Sequence, residues 1–281
     1  MSIVVTGATG HLGRLIVSAL LRRGVPAGEI VALGRDTDRL ADLAGRGVVT
    51  RRADYDDLDS LRAAFAGADR LMFVSGSEVG RRTVQHGNVI TAAEEAGVGL
   101  VAYTSIANAD TSSLVLAAEH KATEKAIGAS GLPYVFLRNS WYLENYTAQL
   151  PTYLRHGVAG AAGDGRVSAA TRADFAEAAA VVLTTEGHTN QVYELGGAPF
   201  TMTELAAEIS RQKGTAVSYL DLPVDKYTEL LVAAGLPEGY AAALADGDRG
   251  LAQGELEVGD ALAKLLGRAP TTLAAAIRAA L

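Results

Sequence analysis

Three glycines near the amino terminus, spaced by three residues, are the first residues whose types and spacing could do chemistry. Gly7, Gly10 and Gly13 lie within VTGATGHLG, directly after the apolar run of residues 3–5. A strand that ends in such a turn and opens a helix gathers free backbone N–H groups and the positive end of the helix dipole. Gly7 permits the sharp turn, Gly10 leaves room for an anion, and Gly13 lets helix and strand pack closely. We expect a dinucleotide pyrophosphate here; a tight turn without a ligand is the alternative.

The residues after the second predicted strand indicate which cofactor binds. Sites specific for NAD place Asp or Glu about 20 residues after the glycine turn, where the acid holds the ribose hydroxyls. This chain has Gly34 and Arg35 there, within VALGRDTDR. An arginine can pair bidentately with a 2′-phosphate, which an acid would repel. Asp36 leaves two roles open, because it could bind ribose hydroxyls or cap the next helix. The pattern favours NADP(H).

An expected acid–base pair is missing. Short-chain dehydrogenases that act on alcohols use a Tyr-x-x-x-Lys pair, in which the lysine lowers the tyrosine pKa for proton transfer. Lys121 is the well-placed lysine, Ala117 stands four residues before it, and no tyrosine lies between Tyr103 and Tyr134. Ser105 can then only orient a substrate. Because hydride addition to a quinone gives a weakly basic phenolate that water can protonate, the missing tyrosine favours a quinone over a ketone.

Aromatic residues follow the sixth predicted strand. Trp141, Tyr142 and Tyr146 cluster there. Flat rings beside a nicotinamide suit a flat aromatic acceptor, and ordinary packing is the alternative.

Three histidines and one asparagine are weaker candidates for a functional role. His86 and Asn88 could face the cleft or have a structural role, and we expect His120 to be a surface histidine. His11, inside the glycine turn, could touch phosphate or point to solvent. No set of histidines and carboxylates has metal-ligand spacing, so we expect no metal.

Strands and helices alternate in the first half of the chain and would position these residues. Apolar runs predict strands at 3–5, 29–33, 48–55, 70–76, 98–105 and 134–139, with helices between most of them. This alternation predicts a parallel sheet covered on both faces. Later residues predict a loop at 156–165, a helix at 173–185, a strand at 191–195, and a helix from the capping box TMTE (201–204) to 213. Short helices broken by prolines should follow.

The predicted fold class is therefore α/β, a Rossmann-type doubly wound parallel sheet with a small, mainly helical C-terminal lobe. We expect the cofactor-binding core to span 1–150 and to be completed by about 173–196. The smaller, substrate-side lobe would span 151–172 and 197–281. Such a lobe beside a nucleotide-binding sheet usually forms one wall of a cleft.

Composition limits the function classes. The 281 residues are 49% hydrophobic and 20% charged, which is typical of a globular protein. The net charge of −7 argues against nucleic acid or an anionic membrane as partner. The lack of cysteine excludes disulfides, thiolate metal sites and cysteine nucleophiles. With no secretory signal and no membrane-length apolar run, we expect a cytoplasmic protein.

Several longer strings carry a family resemblance. They are TGATGHLG, ADYDD, SGSEVG, AYTS, EHKATEKAI, LRNSWYLENY, AGDGRVSAATRADFAEAAA and LADGDRG. The chain resembles the atypical short-chain dehydrogenases of the NmrA-like group, and within that group the bacterial NADPH-dependent quinone reductases. The likeness covers nearly the whole chain and is far more specific than the glycine motif alone.

The resemblance implies a Rossmann core, NADP(H) and a quinone substrate. It places the pyrophosphate at Gly7, Ala8, Thr9, Gly10, His11 and Leu12, with Gly13 behind them. It places the 2′-phosphate at Arg35, the adenine between Asp54 and Tyr55, and the floor of the cofactor site at Val74, Ser75, Gly76 and Ser77. It places the nicotinamide and substrate against Tyr103, Thr104, Ser105, Asn139, Ser140, Trp141, Tyr142, Leu143 and Glu144, with Arg172 reaching in from a later loop.

No residue is assigned as catalytic, and the strongest pocket candidates are Ser105, Asn139, Trp141, Tyr142 and Asn145. Two other functions stay open. One is a silent NADP(H)-sensing regulator, which could also lack the tyrosine; the other is a reductase of another aromatic or conjugated acceptor. A homodimer also stays open.

Overall fold

The computed structural model describes residues 1–78 and 80–281; the predicted SGSEVG string includes Val79, which lies outside them. The strands that it describes are β1 (Ile3–Val5), β2 (Ile30–Gly34), β3 (Val49–Arg52), β4 (Arg70–Phe73), β5 (Leu100–Ile106), β6 (Tyr134–Asn139), β7 (Val158–Gly160), β8 (Gln191–Leu195) and β9 (Tyr219–Asp221). Seven of them form one sheet in the order β3-β2-β1-β4-β5-β6-β8, and β7 pairs with β9. The order reverses direction between β1 and β4, as in a doubly wound fold.

The helices before the sixth strand are α1 (His11–Arg22), α2 (Ala41–Ala44), α3 (Leu58–Phe65), α4 (Arg82–Ala96) and α5 (Val115–Ser130). Those after it are α6 (Leu143–Thr147), α7 (Leu150–His156), α8 (Arg172–Thr184), α9 (Met202–Lys213), α10 (Val224–Ala233), α11 (Glu238–Ala252), α12 (Ala261–Leu266) and α13 (Leu273–Ala280). No helix within the described ranges is long and apolar enough to cross a membrane.

The described chain divides into two compact units. Unit 1 comprises residues 1–105, 119–138 and 172–193, and unit 2 comprises residues 106–118, 139–171 and 194–281. The structure therefore groups 106–118 and 139–150 with the second unit, whereas the sequence analysis assigned both to the first. The predicted role of the second unit in binding substrate stays a prediction.

Unit 1 is built on the short buried strands of the sheet. The three β-branched residues of β1 are fully buried, and β1 pairs in parallel with β2 and β4. α3 and α4 pack in one cluster with strand residues that include Val4 and Phe73, and α1 packs against α8. Burial of these apolar side chains explains why the predicted strand and helix positions agree with the structure.

Unit 2 has its own apolar core. Its members include Leu143, Tyr146, Phe200 and Leu205, with Trp141 packed against them. Thr201 and Glu204 form the predicted capping box, and α9 runs to Lys213 as expected. The predicted loop at 156–165 instead contains β7, which pairs in parallel with β9. The sequence missed this pair because each strand has only three residues.

The predicted fold class is confirmed. The observed strands end within a few residues of the predicted ones; the largest differences are at 48–55 and 70–76, where β3 and β4 stop at Arg52 and Phe73. The residues after those ends form turns, and both turns belong to the predicted cofactor site.

Candidate functional site

The glycine turn in unit 1 has the geometry of an anion site. Gly7 has a positive φ of 60°, which favours glycine. A Cβ on Gly13 would lie 2.7 Å from the carbonyl carbon of Gly7, so this position admits no side chain. Gly10 is exposed, and a Cβ there would meet only the Gly7 oxygen, at 3.3 Å. Gly13 therefore serves helix–strand packing, whereas Gly10 keeps the face of the turn open.

The amino end of α1 is free to bind an anion. Gly10 is its N-cap and provides no side-chain hydrogen bond, and the first turn of the helix contains no acidic residue. Because the first N–H groups of a helix lack internal partners, those of His11 and Leu12 fit a phosphate group. His11 is exposed, so the two readings of its side chain, phosphate or solvent, stay open.

Arg35 stands at the carboxyl end of β2, as predicted, with its side chain largely exposed. Its Nη1 lies 3.2 Å from Oε1 of Glu78. The preceding residue, Gly34, leaves no room for a side chain, because a Cβ there would lie 2.5 Å from Cγ2 of Thr9, in the glycine turn. The Oδ1 atom of Asp36 accepts a hydrogen bond from the Asp38 N–H, at 3.1 Å, and both roles of Asp36, ribose binding and capping, stay open.

Arg39 is a residue that the sequence analysis missed. Its Nη2 donates to the carbonyl oxygen of Thr9, at 3.3 Å, and its side chain is exposed beside the glycine turn. A second arginine four residues after Arg35 was the signal that could have indicated it. Two guanidinium groups thus lie close to the turn and to the end of β2.

The turn after β4, residues 74–77, is fastened by side chains. The Val74 N–H donates to Oγ1 of Thr6, at 3.0 Å, and the Val74 carbonyl accepts from the hydroxyl of Tyr55, at 2.6 Å. The Ser75 N–H donates to Oγ1 of Thr104, at 2.8 Å. The hydroxyls of Tyr55 and Thr104 are thus occupied beneath the turn. Whether Asp54 and Tyr55 also flank the adenine stays a prediction.

Helix α4 carries His86 and Asn88, for which the sequence left a cleft role and a structural role open. His86 is almost fully buried, and its Nε2 accepts the Gly76 N–H, at 3.0 Å. Asn88 donates to the carbonyl oxygen of Tyr55, at 2.8 Å. Burial lowers the pKa of His86 to about 3, with a smaller contribution from the charge of Arg82. The structural role is therefore the one observed.

His120 is buried, and the prediction of a surface histidine is wrong. Its Nδ1 lies 2.7 Å from the hydroxyl of Tyr103, and burial lowers its pKa to about 3. The sequence could not indicate this because the partner is on a different element, 17 residues away. The side chain of Tyr103 is itself inaccessible within the core of unit 1, so only its backbone could line the nicotinamide, and that contact stays a prediction.

Two buried polar atoms have no hydrogen-bond partner among residues 1–78 and 80–281. They are Oγ of Ser105, in unit 1, and Oδ1 of Asn139, in unit 2. Ser105 is the penultimate residue of β5 and Asn139 is the last residue of β6. Ligands of doubly wound sheets bind outside the carboxyl ends of the strands. An unpartnered buried polar atom costs free energy, so each atom fits a hydrogen bond from a bound molecule.

The segment after β6 is held in unit 2 by backbone hydrogen bonds. The Ala170 N–H donates to the Trp141 carbonyl and the Leu143 N–H donates to the Ala170 carbonyl, both at 3.0 Å. Ser140 donates through its hydroxyl to the Leu256 carbonyl, at 2.7 Å. The side chains of Ser140 and Leu143 are buried, and their predicted placement against cofactor or substrate stays a prediction.

Other predicted pocket residues are partly accessible. Trp141, Tyr142, Glu144 and Asn145 are half-buried in unit 2, and Arg172 is half-buried at the start of α8 in unit 1. Tyr146 is buried and packs edge-on against Phe200 with ring centroids 5.8 Å apart, so ordinary packing describes it. The ligand contacts of the half-buried residues stay predictions.

An alanine stands at the position where alcohol-oxidising short-chain dehydrogenases have the tyrosine. Ala117, on α5, is buried in the core of unit 2, while Lys121 is exposed. Within the described ranges, no group of three or more histidine, cysteine or acidic side chains could hold a metal ion.

Comparisons with known proteins also indicate that this chain binds NAD(P)H. A family model described as NAD(P)H-binding matches residues 7–186. Quinone oxidoreductase 2 of Escherichia coli is 48% identical over 98% of this chain and 97% of the relative.

Two solved structures are similar over essentially their whole length. The E. coli NADPH-dependent quinone oxidoreductase complexed with NADPH has a TM-score of 0.96 and 46% identity, covering 99% of each chain. The Citrobacter sp. triphenylmethane reductase complexed with NADP(H) has a TM-score of 0.95 and 39% identity, covering 100% of each chain. The chain belongs to the NAD(P)H-binding, NmrA-like family of oxidoreductases.

Proposed function

We propose that this chain is an NADPH-dependent quinone reductase. The observation that carries the proposal is the buried, unpartnered Oγ of Ser105, at the carboxyl end of β5 in unit 1, on a residue that the resemblance places at the nicotinamide and substrate. A nicotinamide carboxamide offers both an N–H donor and a carbonyl acceptor, and a serine hydroxyl can bond to either. The likeness to quinone oxidoreductase 2 supports the same reading.

Binding of the cofactor would use groups of unit 1. The uncapped amino end of α1 and the open face at Gly10 would hold the pyrophosphate. Arg35 would pair with the 2′-phosphate, and Arg39 adds a second positive charge beside the same turn. When bound, NADPH supplies a hydride from its nicotinamide ring. The protein then contributes mainly position and orientation, which can lower a barrier by several kcal/mol.

No proton donor of the chain is required. Ala117 replaces the tyrosine of the alcohol-oxidising enzymes, and His120 is a buried, neutral residue bonded to Tyr103. Ser105 can donate a hydrogen bond, but its alcohol pKa makes it a poor source of a proton. Reduction of a quinone leaves a delocalised oxyanion, which water protonates. A quinone is therefore an acceptor that this site can reduce without a general acid.

A second acceptor class is favoured by one comparison. The Citrobacter relative is named a triphenylmethane reductase, and 39% identity over the whole chain makes conjugated dyes the alternative acceptor. Dyes of this class also need no protonation of an alkoxide. We include a cytoplasmic location and a homodimer in the proposal as separate points, to be examined by cell fractionation and light scattering.

The experiment that tests the function follows NADPH oxidation spectrophotometrically with 1,4-benzoquinone as acceptor, and quantifies hydroquinone in the same sample. Wild-type protein should oxidise NADPH with one equivalent of hydroquinone formed. Gly10→Val, in which the new side chain occupies the face of the glycine turn, is the matched control and should give no turnover. Tight NADPH binding without oxidation by any quinone or dye would instead favour the silent sensor and refute the proposal.

A further inference from the structure

Helix α4 presents a row of buried polar side chains that the proposed chemistry does not use. Arg82, Gln85 and His86 are each more than nine-tenths buried, and Asn88 is half-buried. Their spacing places them on neighbouring positions of the helix surface, within its first two turns. Each one makes a hydrogen bond to a loop that follows β3 or β4.

Gly76, in the turn after β4, is held at both of its backbone groups by this helix. The Gly76 N–H donates to Nε2 of His86, at 3.0 Å, and the Gly76 carbonyl accepts from Nε of Arg82, at 2.6 Å. A side chain on Gly76 would come within 3.3 Å of Gln85 Oε1 and 3.5 Å of His86 Nε2, so backbone and helix are in close contact.

The loop after β3 is held by the same helix. Asn88 donates to the Tyr55 carbonyl, at 2.8 Å, and Gln85 donates to Oδ2 of Asp56, at 3.1 Å. Four hydrogen bonds thus connect one helix to the two turns that the family resemblance places around the adenine and beneath the cofactor.

The hydrogen-bond chain fixes the tautomer of His86. Because a backbone amide can only donate, Nε2 must be unprotonated, and the ring proton is on Nδ1. That Nδ1–H then donates to Oγ1 of Thr123, at 2.8 Å, and the Thr123 hydroxyl donates to the Glu119 carbonyl, also at 2.8 Å. Each donor in this series of hydrogen bonds has one acceptor. The carboxylate of Glu119 also accepts from the Gly80 N–H, at 2.9 Å, which extends the same support.

We propose that His86 is a positioning residue for NADPH, which holds the Gly76 amide and thereby the turn 74–77 in the conformation that receives the cofactor. The proposal rests on the proposed function in one respect, that NADPH binds over this turn. A neutral imidazole suits this role, since burial keeps the ring uncharged and its acceptor atom available at neutral pH. Loss of the acceptor leaves the Gly76 N–H without its protein partner and frees the turn.

Two substitutions separate the acceptor of His86 from its donor. In His86→Gln, the amide oxygen can occupy the place of Nε2 and accept from Gly76. In His86→Asn, the shorter amide can still donate to Thr123 but does not reach Gly76. NADPH dissociation constants are measured by cofactor fluorescence, and thermal unfolding of the free protein is measured in parallel.

The expected result is a rise of about five- to tenfold in the NADPH dissociation constant for His86→Asn, and about twofold or less for His86→Gln. His120→Gln is the matched control, because this histidine is also buried but its hydrogen bond goes to Tyr103 and not to the turn. It should lower the melting temperature while leaving NADPH affinity at the wild-type value. Equal weakening by both His86 variants, unchanged affinity in His86→Asn, or equal weakening by His120→Gln would each overturn the proposal.

Thr123→Val gives an independent variant should both His86 variants fail to fold. It removes the acceptor that orients the imidazole but leaves the turn and His86 in place. We expect about a threefold weaker NADPH affinity, and an unchanged affinity would overturn the proposal. Failure of wild-type protein to bind NADPH would contradict the proposed function itself and is seen in the same titration.

Discussion

Nη1 of Arg35 lies 3.2 Å from Oε1 of Glu78, so the arginine at the predicted 2′-phosphate position already has a carboxylate partner. Glu78 also pairs with Arg81 at 3.2 Å, so its charge is shared between two guanidinium groups. A 2′-phosphate, with more charge and more acceptor atoms than a carboxylate, can replace Glu78 as the partner of Arg35. Cofactor choice should therefore depend on both residues of this pair, and in opposite directions.

Arg35→Ala should weaken NADPH binding by roughly tenfold or more and leave NADH binding nearly unchanged, because only NADPH carries the 2′-phosphate. The measurement is the dissociation constant of each cofactor. Equal losses for NADPH and NADH would show that Arg35 does not bind the 2′-phosphate.

Glu78→Gln should tighten NADPH binding by about threefold, because it removes an exposed ion pair with which the phosphate competes. NADH affinity is the internal control and should stay constant. An NADPH affinity that falls in this variant would mean that Glu78 supports the site instead of competing for Arg35.

The two glycines of the turn should behave differently. Gly10→Val should abolish NADPH binding and leave the melting temperature of the free protein nearly unchanged, since a Cβ at Gly10 meets a single oxygen at 3.3 Å. Gly13→Ala should lower the melting temperature by roughly 3–10 °C, because its Cβ would overlap the backbone of Gly7 and Ala8. Calorimetry and cofactor titration of both variants test this. A normal NADPH affinity in Gly10→Val would make the turn purely structural.

Removal of each candidate acid should leave quinone reduction largely intact. Ser105→Ala, His120→Ala and Lys121→Ala should each lower kcat by less than the roughly 100-fold typical of a true general acid. The comparison variant is Asn139→Ala, which should lower the rate more because a small displacement of the reacting atoms is costly. A loss of more than 100-fold in one of the three variants would identify that residue as a general acid and contradict the mechanism without one.

Acid should destabilise the folded protein through its buried histidines. His86 and His120 have folded-state pKa values of about 3, below the ordinary 6.5, because burial disfavours the charged ring. The unfolded state then binds more protons between pH 6.5 and 3, so the free energy of unfolding falls as pH drops through that window. Each histidine contributes about 1 kcal/mol per pH unit.

Asp248 opposes part of this effect. Burial raises its pKa from 3.8 to about 6, so its contribution to the free energy of unfolding is lost as pH rises from 4 to 6.

Denaturant unfolding at several pH values between 5 and 7 compares wild-type protein with His120→Gln and thereby isolates the contribution of one histidine. The variant should lose stability less steeply on acidification, by about 1 kcal/mol per pH unit. Parallel curves for the two proteins would contradict the assignment of His120 as a buried neutral base.

The sequence predicted what depends on local pattern. The β-branched run of β1, the glycine turn and the Thr201–Glu204 capping box all have short-range causes, and the structure places them as expected. The position of Arg35 could be predicted because it directly follows a predicted strand. These features need no knowledge of the partner elements, so a single sequence contains them.

The residues that the sequence misplaced, left undecided or missed have distant partners. His120 is buried because Tyr103 on β5 meets it, and His86 is buried because the turn at Gly76 and Thr123 on α5 both bond it. A search for apolar periodicity cannot identify a polar residue that is buried in this way, since its partners are not adjacent in sequence. The same limit hid Arg39, whose contact with Thr9 spans 30 residues.

Steady-state oxidation of NADPH against a panel of quinones, with aliphatic ketones as acceptors and NADH in parallel, tests the central claim most directly. We predict turnover of quinones, higher kcat/KM with NADPH than with NADH, and no detectable reduction of the ketones. Robust reduction of a ketone or oxidation of a secondary alcohol, abolished by Ser105→Ala, His120→Ala or Lys121→Ala, would contradict a mechanism in which water supplies the protons.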